Sequence, residues 1–434
     1  MRSAWPEDGV VPARRRCSAL HFAFICLPAA GHVNPTLPVV AELVRRGHRV
    51  TYATSAKYAG AVESAGAAFF ESGEDLAAQF PRFGSPGQGA GAASPQAGML
   101  AGLASGMMSG LVERLLERAR EEFPALLARL AADRPDAVCY DAMTLAGKMA
   151  AMKLDLPDVA LLPSYATNEH FSVRELMPAR APEEMLAAWK RVRRLIDDFA
   201  AEQGLDDFTF MEGPSASLNI CFIPREFQPA GDTFGASFHF VGPCLGQRTD
   251  ENTWRPDRQS APLVFISLGT TPLNDRAEFF RMCLEAFAGT PWQVAMAIGD
   301  RTGVAELGDI PDNADVRAFF PQLEVLRHAD VFLSHTGMNS TMEALYFGVP
   351  LVAFPLQPEQ EANARRVEDL GLGRRLPAES LTPALIRTVI TEVSDDQEIR
   401  RNLETMSQRV RGAGGPAEAA DAIERYLHGG RPSA

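Results

Sequence analysis

The chain has 434 residues and no Cys-x-x-Cys pair. Its six cysteines, Cys17, Cys26, Cys139, Cys221, Cys244 and Cys283, are scattered, and none lies in a Cys/His cluster of zinc-ligand spacing. Cys26, Cys139 and Cys221 fall inside apolar, strand-like runs and read as reduced core residues of a cytosolic protein. There is no Asp-x-Asp, the usual carboxylate handle for a metal–diphosphate complex, so no metal is expected. No Gly-x-Gly-x-x-Gly follows the first apolar run, which argues against a nicotinamide oxidoreductase. Positive charge is in deficit: 42 Lys+Arg against 55 Asp+Glu leave a formal net charge of −13. Such a chain is a poor partner for nucleic acid or an anionic membrane, and any anion it binds must be held by a local site. No stretch approaches the ~18 apolar residues of a membrane span. One segment imitates a signal peptide: Arg14-Arg15-Arg16 precedes the apolar stretch Leu20 to Ala30. A Gly-His turn and an amphipathic segment follow it at once. It therefore reads as the first buried strand of an α/β domain, with residues 1–18 a disordered extension.

What is present is a rhythm of short apolar runs alternating with amphipathic segments, the mark of βα units on a parallel sheet. Ala19–Leu27 reads as a strand. Pro35–Arg46 reads as a helix capped by Asn34 with Pro35 at its first position, and Gly47-His48 ends it. Strands are expected at Arg49–Ala53, Ala67–Phe70, Ala137–Tyr140, Val159–Leu162 and Leu218–Phe222. Residues 80–106, rich in Gly, Ala, Ser and Met, read as a mobile loop. A long helix then runs to about Ala131, and Thr144–Lys153 and Leu186–Gln203 are helices. The polar segment 244–260 breaks the rhythm and reads as a linker. Beyond it come strands at Leu263–Leu268, Gln293–Ala297, Val316–Phe319, Val331–Ser334 and Leu351–Phe354. Helices are expected at Glu278–Phe287, Ser340–Phe347, Glu359–Leu370, 383–393, 397–411 and 416–427. Two α/β domains in tandem point to two Rossmann-like lobes facing across a cleft.

The most informative stretch is Val331 to Leu345. A buried strand runs into His335, a turn with Gly337 follows, and a helix opens at Asn339 or Ser340. The first turn of a helix carries unpaired N–H groups and partial positive charge, a natural seat for phosphate. His335 can add a hydrogen bond to an oxyanion. Glu343, one turn in, can accept from a ribose diol. Phe319-Phe320-Pro321-Gln322 ends one neighbouring strand and offers a ring for a base. Glu359 and Gln360 follow another and can meet sugar hydroxyls. In a parallel sheet these turns share one edge.

The stretch Phe319 to Gln360 resembles the donor-binding signature of family-1 UDP-glycosyltransferases, and most closely the bacterial branch acting on macrolides and other natural products. The matching positions are Phe319, Pro321 and Gln322, then His335, Gly337, Asn339 and Ser340, then Glu343, Gly348-Val349-Pro350, and Glu359-Gln360. The resemblance spans nearly the whole chain after its first ~18 residues. It implies the α/β GT-B fold: an acceptor-binding domain at 19–243, the 244–260 linker, a nucleotide-sugar domain at 261–412, and a terminal helix at 413–434 packing back towards the first domain. It implies that Phe319 stacks on the base and Gln322 lies beside the nucleoside. His335, with the backbone of Asn339 and Ser340, would hold the diphosphate, Glu343 the ribose, and Glu359 and Gln360 the sugar. Many relatives have Asp where Glu359 stands. Ser267-Leu268-Gly269-Thr270 resembles the family's second phosphate-contacting loop, an ordinary βα corner being the alternative.

Gly31-His32-Val33-Asn34-Pro35 resembles the family's catalytic-base segment, and His32 lies where open sheets bind ligands. A neutral imidazole suits proton removal from a hydroxyl near pH 7. The resemblance pairs it with Asp141, which can also cap the following helix. The implied reaction is inverting and metal-independent. The acceptor oxygen, deprotonated by His32, attacks the anomeric carbon through an oxocarbenium-like transition state, while the helix end and His335 offset charge on the leaving diphosphate. The donor is expected to be UDP-glucose, with a dTDP-deoxysugar as the alternative; the acceptor is a small hydroxylated molecule such as a macrolide or other polyketide. Met99 to Met108 would suit a pliable acceptor site. His21, His48, His170, His239, His328 and His428 read as structural or surface residues, with His170 closest to a possible acceptor pocket. A UDP-sugar 2-epimerase would not need the Gly-His-Val-Asn-Pro segment. An auxiliary nucleotide-sugar-binding subunit would have shed the residues that His32, Asp141 and His335 retain. The protein is expected to be a cytoplasmic monomer or homodimer whose lobes close about the linker on donor binding.

Overall fold

A computed structural model describes residues 19–73, 96–173, 183–210, 213, 215–246, 254–257, 261–269 and 277–429; the side chains of 96–112, 115, 183–186 and 188 are outside the description. The first lobe contains β1 (His21–Ile25), α1 (Ala30–Arg45), β2 (Arg49–Thr54), α2 (Ala59–Ser64), β3 (Ala68–Glu71), α3 (Gln96–Asp133), β4 (Ala137–Asp141), α4 (Leu145–Lys153), β5 (Asp158–Leu162), α5 (Glu183–Glu202), β6 (Leu218–Cys221) and β7 (Phe238–Phe240). The second contains β8 (Leu263–Ser267), α6 (Ala277–Phe287), β9 (Gln293–Ala297), β10 (Ala314–Arg317), α7 (Gln322–Leu326), β11 (Val331–Ser334), α8 (Met338–Phe347), β12 (Leu351–Ala353), α9 (Pro358–Asp369), β13 (Gly373–Arg375), α10 (Pro383–Asp395) and α11 (Gln397–Gly412). A last helix, α12 (Gly415–Gly429), follows.

The two sheets have the orders β3-β2-β1-β4-β5-β6-β7 and β10-β9-β8-β11-β12-β13, and every pairing is parallel. Each is a doubly wound sheet with one switch point, where the chain leaves neighbouring strands in opposite directions. In the first lobe that point lies between β1 and β4; in the second it lies between β8 and β11. Strands β1, β4, β8 and β11 are buried throughout. This is why they read as unbroken apolar runs rather than alternating ones.

The last helix returns to the first lobe. Ala419, Ala420, Ala422, Ile423 and Tyr426 join the cluster of Phe22, Phe24, Val39, Val40, Leu43 and Tyr52. Fully burying a side chain of Val, Leu or Phe size contributes roughly 1.5–3 kcal/mol. Arg46 at the end of α1 binds Asp421 and Glu424 on α12 at 2.5 and 2.8 Å, and His48 meets Glu424 at 2.7 Å. Within the segment read as a linker, Cys244 lies in the first lobe's core. Trp254 is buried in the second lobe, its Nε1 donating to Asp315 at 3.1 Å.

Several element boundaries differ from the sequence reading. Helix α1 begins at Ala30, so Asn34 is not its cap and Pro35 lies inside it; the N–H groups of His32 and Val33 already bond the Ala29 carbonyl at 2.9 Å. Helix α8 begins at Met338, with Gly337 as an N-cap that has no side chain to contribute. Residues 96–106 are helical rather than loop, since Ala, Leu and Met favour helix despite the interspersed glycines. Residues 80–95 lie outside the described residues. Strand β10 stops at Arg317, leaving Phe319 beyond it. Strands β7 and β13 and the short helix α7 were not anticipated.

Candidate active site

The C-terminal ends of β1 and β4 diverge at the first switch point. His32 sits on the first turn of α1 and Asp141 is the last residue of β4. Their side chains meet, Nδ1 to Oδ2, at 2.6 Å. Asp141 is fully buried, and its other oxygen accepts the Met143 N–H at 2.8 Å. A carboxylate only accepts, so Nδ1 carries the proton and Nε2 keeps its lone pair. Burial alone pushes the His32 pKa down. The charge of Asp141 and its hydrogen bond, helped by the charge of Glu359, outweigh burial, and the net shift is upward from 6.5. An imidazole held this way can accept a proton at Nε2 and then have its charge stabilised.

The second switch point gathers Ser267, the last residue of β8, and Gly269 just beyond it with His335 after β11. The His335 ring is boxed by two glycines. A Cβ on Gly269 would stand 2.6 Å from His335 Cε1, and one on Gly337 would stand 2.5 Å from its Nε2. Between them Thr336 adopts φ +59, a left-handed conformation unusual for a β-branched residue. Its hydroxyl lies 2.6 Å from the His335 carbonyl and 3.0 Å from that of Gln360 and shares its one proton between them, and Asn363 donates to the Thr336 carbonyl at 2.9 Å. That clamp sets the approach of the chain to α8. The first helical bond of α8 runs from the Thr341 N–H to the Gly337 carbonyl at 2.9 Å. The N–H groups of Met338, Asn339 and Ser340 thus have no partner within the helix, as an anion seat requires.

His335 is buried, and desolvation depresses its pKa to about 4, only partly offset by a backbone bond involving Ser267. Its Nδ1 has no partner among the described residues. The ring is therefore neutral near pH 7 and offers a hydrogen bond rather than a charge. Because the folded value lies below the unfolded 6.5, the unfolded chain binds the proton first. This histidine therefore removes stability as pH falls from about 6.5 to about 4. Followed by NMR, its ring is expected to stay neutral at pH 5.5; a midpoint near the ordinary ~6.5 would contradict the burial argument.

Gln322 opens α7 and donates to Glu343 Oε2 at 2.6 Å and to Ser340 Oγ at 3.2 Å. Glu343 is buried. Phe319 is 58% exposed, a ring presented to solvent just ahead of this group. Glu359 lies in the first turn of α9 and accepts from Ser164 Oγ of the first lobe at 3.0 Å. Gln360 is buried, and its Oε1 accepts the Leu356 N–H at 2.8 Å, so that oxygen is committed to the backbone. Thr270 lies outside the described residues. His170 is largely exposed, with Glu169 3.7 Å away.

The lobes touch through polar contacts. Arg366 of α9 donates to the carbonyls of Glu226, Phe227 and Gln228 at 2.7, 2.9 and 3.4 Å. Asn339 Nδ2 donates to the Gly31 carbonyl at 3.0 Å. Sequence reasoning missed Ser164, Thr336, Asn363 and Arg366. Ser164 and Thr336 had a signal, each standing just past the end of a strand. Among the described residues, no helix is long and apolar enough to cross a membrane.

Two facing doubly wound lobes, with polar groups gathered at both switch points, define a GT-B glycosyltransferase. Residues 283–426 match the family described as erythromycin biosynthesis protein CIII-like, C-terminal domain. The chain is 38% identical over 414 residues to the NDP-glycosyltransferase YjiC of Bacillus licheniformis, covering 94% of this chain and 98% of that protein. It is 36% identical over 424 residues to the demethyllactenocin mycarosyltransferase of Streptomyces fradiae, covering 96% and 88%. The crystal structure of CalG4, the calicheamicin glycosyltransferase, superposes with a TM-score of 0.78 at 32% identity, covering 96% of this chain and all of that one. The chain belongs to the family-1 glycosyltransferases of the macrolide, natural-product branch, and it is an enzyme of sugar transfer.

Proposed function

We propose that this enzyme transfers a sugar, with inversion and without a metal, from a uridine diphosphate donor to a hydroxyl of a small natural product such as a macrolide or other polyketide. The observation that carries the reading is the His32–Asp141 pair at 2.6 Å on one lobe, bonded through Gly31 to the phosphate-seating helix α8 of the other. His32 Nε2 takes the acceptor proton, and Asp141 fixes the tautomer and stabilises the imidazolium. The freed oxygen attacks the anomeric carbon opposite the diphosphate. Charge growing on the leaving group is met by the N–H groups at the start of α8, by the neutral His335, and by the turn from Ser267 through Gly269 to Thr270.

Phe319 stacks on the base and Gln322 lies beside the nucleoside. Glu343 receives the ribose diol, while Glu359 and Gln360 meet the sugar, which we take to be glucose. Residues 19–243 form the acceptor lobe and 261–412 the donor lobe, joined by 244–260, with 413–434 returning to the first. The buried free thiols Cys26, Cys139, Cys221, Cys244 and Cys283 fit a reducing compartment, the cytoplasm.

The test is UDP release from UDP-glucose with polyketide and phenolic acceptors. Acceptor-dependent release supports the reading; UDP binding without release from any donor favours an auxiliary subunit instead. Glu343 makes a second expectation about the donor. A charge-assisted hydrogen bond contributes roughly 1.5–3 kcal/mol, so UDP should bind about 10- to 100-fold more tightly than 2′-deoxy-UDP. Glu343→Ala should erase most of that preference, and equal affinities in the wild type would remove Glu343 from the ribose site.

A further inference from the structure

Helix α1 contains Pro35 near its start, where an interior proline is costly. In an α-helix the carbonyl of residue i accepts from the N–H of residue i+4. Pro35 has no N–H, so the Gly31 carbonyl has no i+4 partner. That carbonyl accepts from Asn339 Nδ2 at 3.0 Å, across the cleft. Gly31 directly precedes His32, and Asn339 is the second residue of α8. One hydrogen bond thus joins the turn carrying the imidazole to the turn that seats the diphosphate.

We infer that Pro35 is a positioning residue: by stripping the Gly31 carbonyl of its helical partner it frees a docking point for Asn339, which sets His32 in register with the donor. The inference rests on the transferase reading above. It also assigns the Asn339 side chain to the opposite lobe, leaving its backbone N–H for phosphate. An alanine at 35 would supply the missing N–H and draw the Gly31 carbonyl back into the helix. His32 and Asp141 belong to one lobe, so their pairing would survive.

Pro38 provides the control. It also interrupts α1, but the carbonyl it frees is that of Asn34, about one turn further along the helix than Gly31. The experiment compares wild type, Pro35→Ala, Pro38→Ala, Asn339→Ala and the Pro35→Ala/Asn339→Ala double variant, measuring kcat, UDP affinity and the acid limb of the pH–rate profile. Pro35→Ala should lower kcat about tenfold, with UDP affinity and the acid limb unchanged and Pro38→Ala near wild type. The double variant should be no slower than the slower single one, because both remove the same contact. Independent, multiplying effects, a wild-type kcat in Pro35→Ala, or an equal loss in Pro38→Ala would overturn the inference. A moved acid limb in Pro35→Ala would also overturn it, because the damage would then lie within the His32–Asp141 pair. A wild type without transferase activity would instead overturn the functional reading beneath it.

Discussion

His32→Ala is expected to lower kcat by about 10²–10⁴-fold, the usual contribution of a positioned general base, while UDP affinity stays at the wild-type level. The separation follows from the architecture: His32 belongs to the first lobe, and the diphosphate seat proposed on α8 belongs to the second. Asp141→Asn should cost a similar factor for a different reason. An amide at 141 can present N–H to Nδ1 and turn the ring to the tautomer whose Nε2 is protonated. It also removes the charge that offsets burial. The wild-type imidazole has its pKa above 6.5 because Asp141 overcomes desolvation, so kcat/KM should fall as pH drops through that raised value. In Asp141→Asn the acid limb should move to lower pH, since desolvation is then opposed by the charge of Glu359 without that of Asp141. An acid limb that stays in place would sink the pairing argument.

The stability linkage runs the other way. A raised folded pKa contributes stability below the unfolded value of about 6.5, and that contribution is lost as pH rises through the folded pKa. The pair therefore stabilises the fold least in the form that can accept a proton.

The sequence was most legible where one physical cause acted alone. Gln293–Ala297 and Val331–Ser334 were read end to end, because a strand buried on both faces carries a run of apolar residues, here Val294–Ala297 and Val331–Leu333. Gly373–Arg375, with two arginines and a glycine at a sheet edge, carries no such signal. Caps misled where tertiary structure overrode them. Asn34-Pro35 has the form of a helix start, yet the helix begins earlier, and the interruption it leaves is filled by a residue 308 positions away. Asn339-Ser340 likewise resembled a cap, but the turn is set by the left-handed Thr336 and its bonds to Gln360 and Asn363. The meeting of His32 and Asp141, 109 positions apart, was expected from the family resemblance, which pairs a histidine in this turn with an aspartate at a strand end. The contact of Ser164 with Glu359 was not, since it depends on how two lobes face each other.

The second large effect is expected at Gly269. Its φ of +77 lies in the left-handed region, which costs a residue with a Cβ roughly 1–2 kcal/mol. That Cβ would also stand 2.6 Å from Cε1 and 2.7 Å from Nε2 of His335. The ring cannot retreat towards Gly337, where the backbone already approaches so closely that a Cβ would lie 2.5 Å from Nε2. Overpacking of this kind costs typically ~1–3 kcal/mol, so Gly269→Ala should lose about 2–5 kcal/mol of stability. Under the proposed reading it should also weaken UDP binding about 10- to 100-fold, the worth of a hydrogen bond to a charged phosphate. Calorimetric titration and thermal unfolding measure both. The decisive comparison places Gly269→Ala in a His335→Ala background. With no ring to strike, only the φ penalty should remain, and UDP affinity should equal that of His335→Ala alone. If Gly269→Ala binds UDP as the wild type does, the imidazole is not what this glycine makes room for, and His335 has no part in holding the diphosphate.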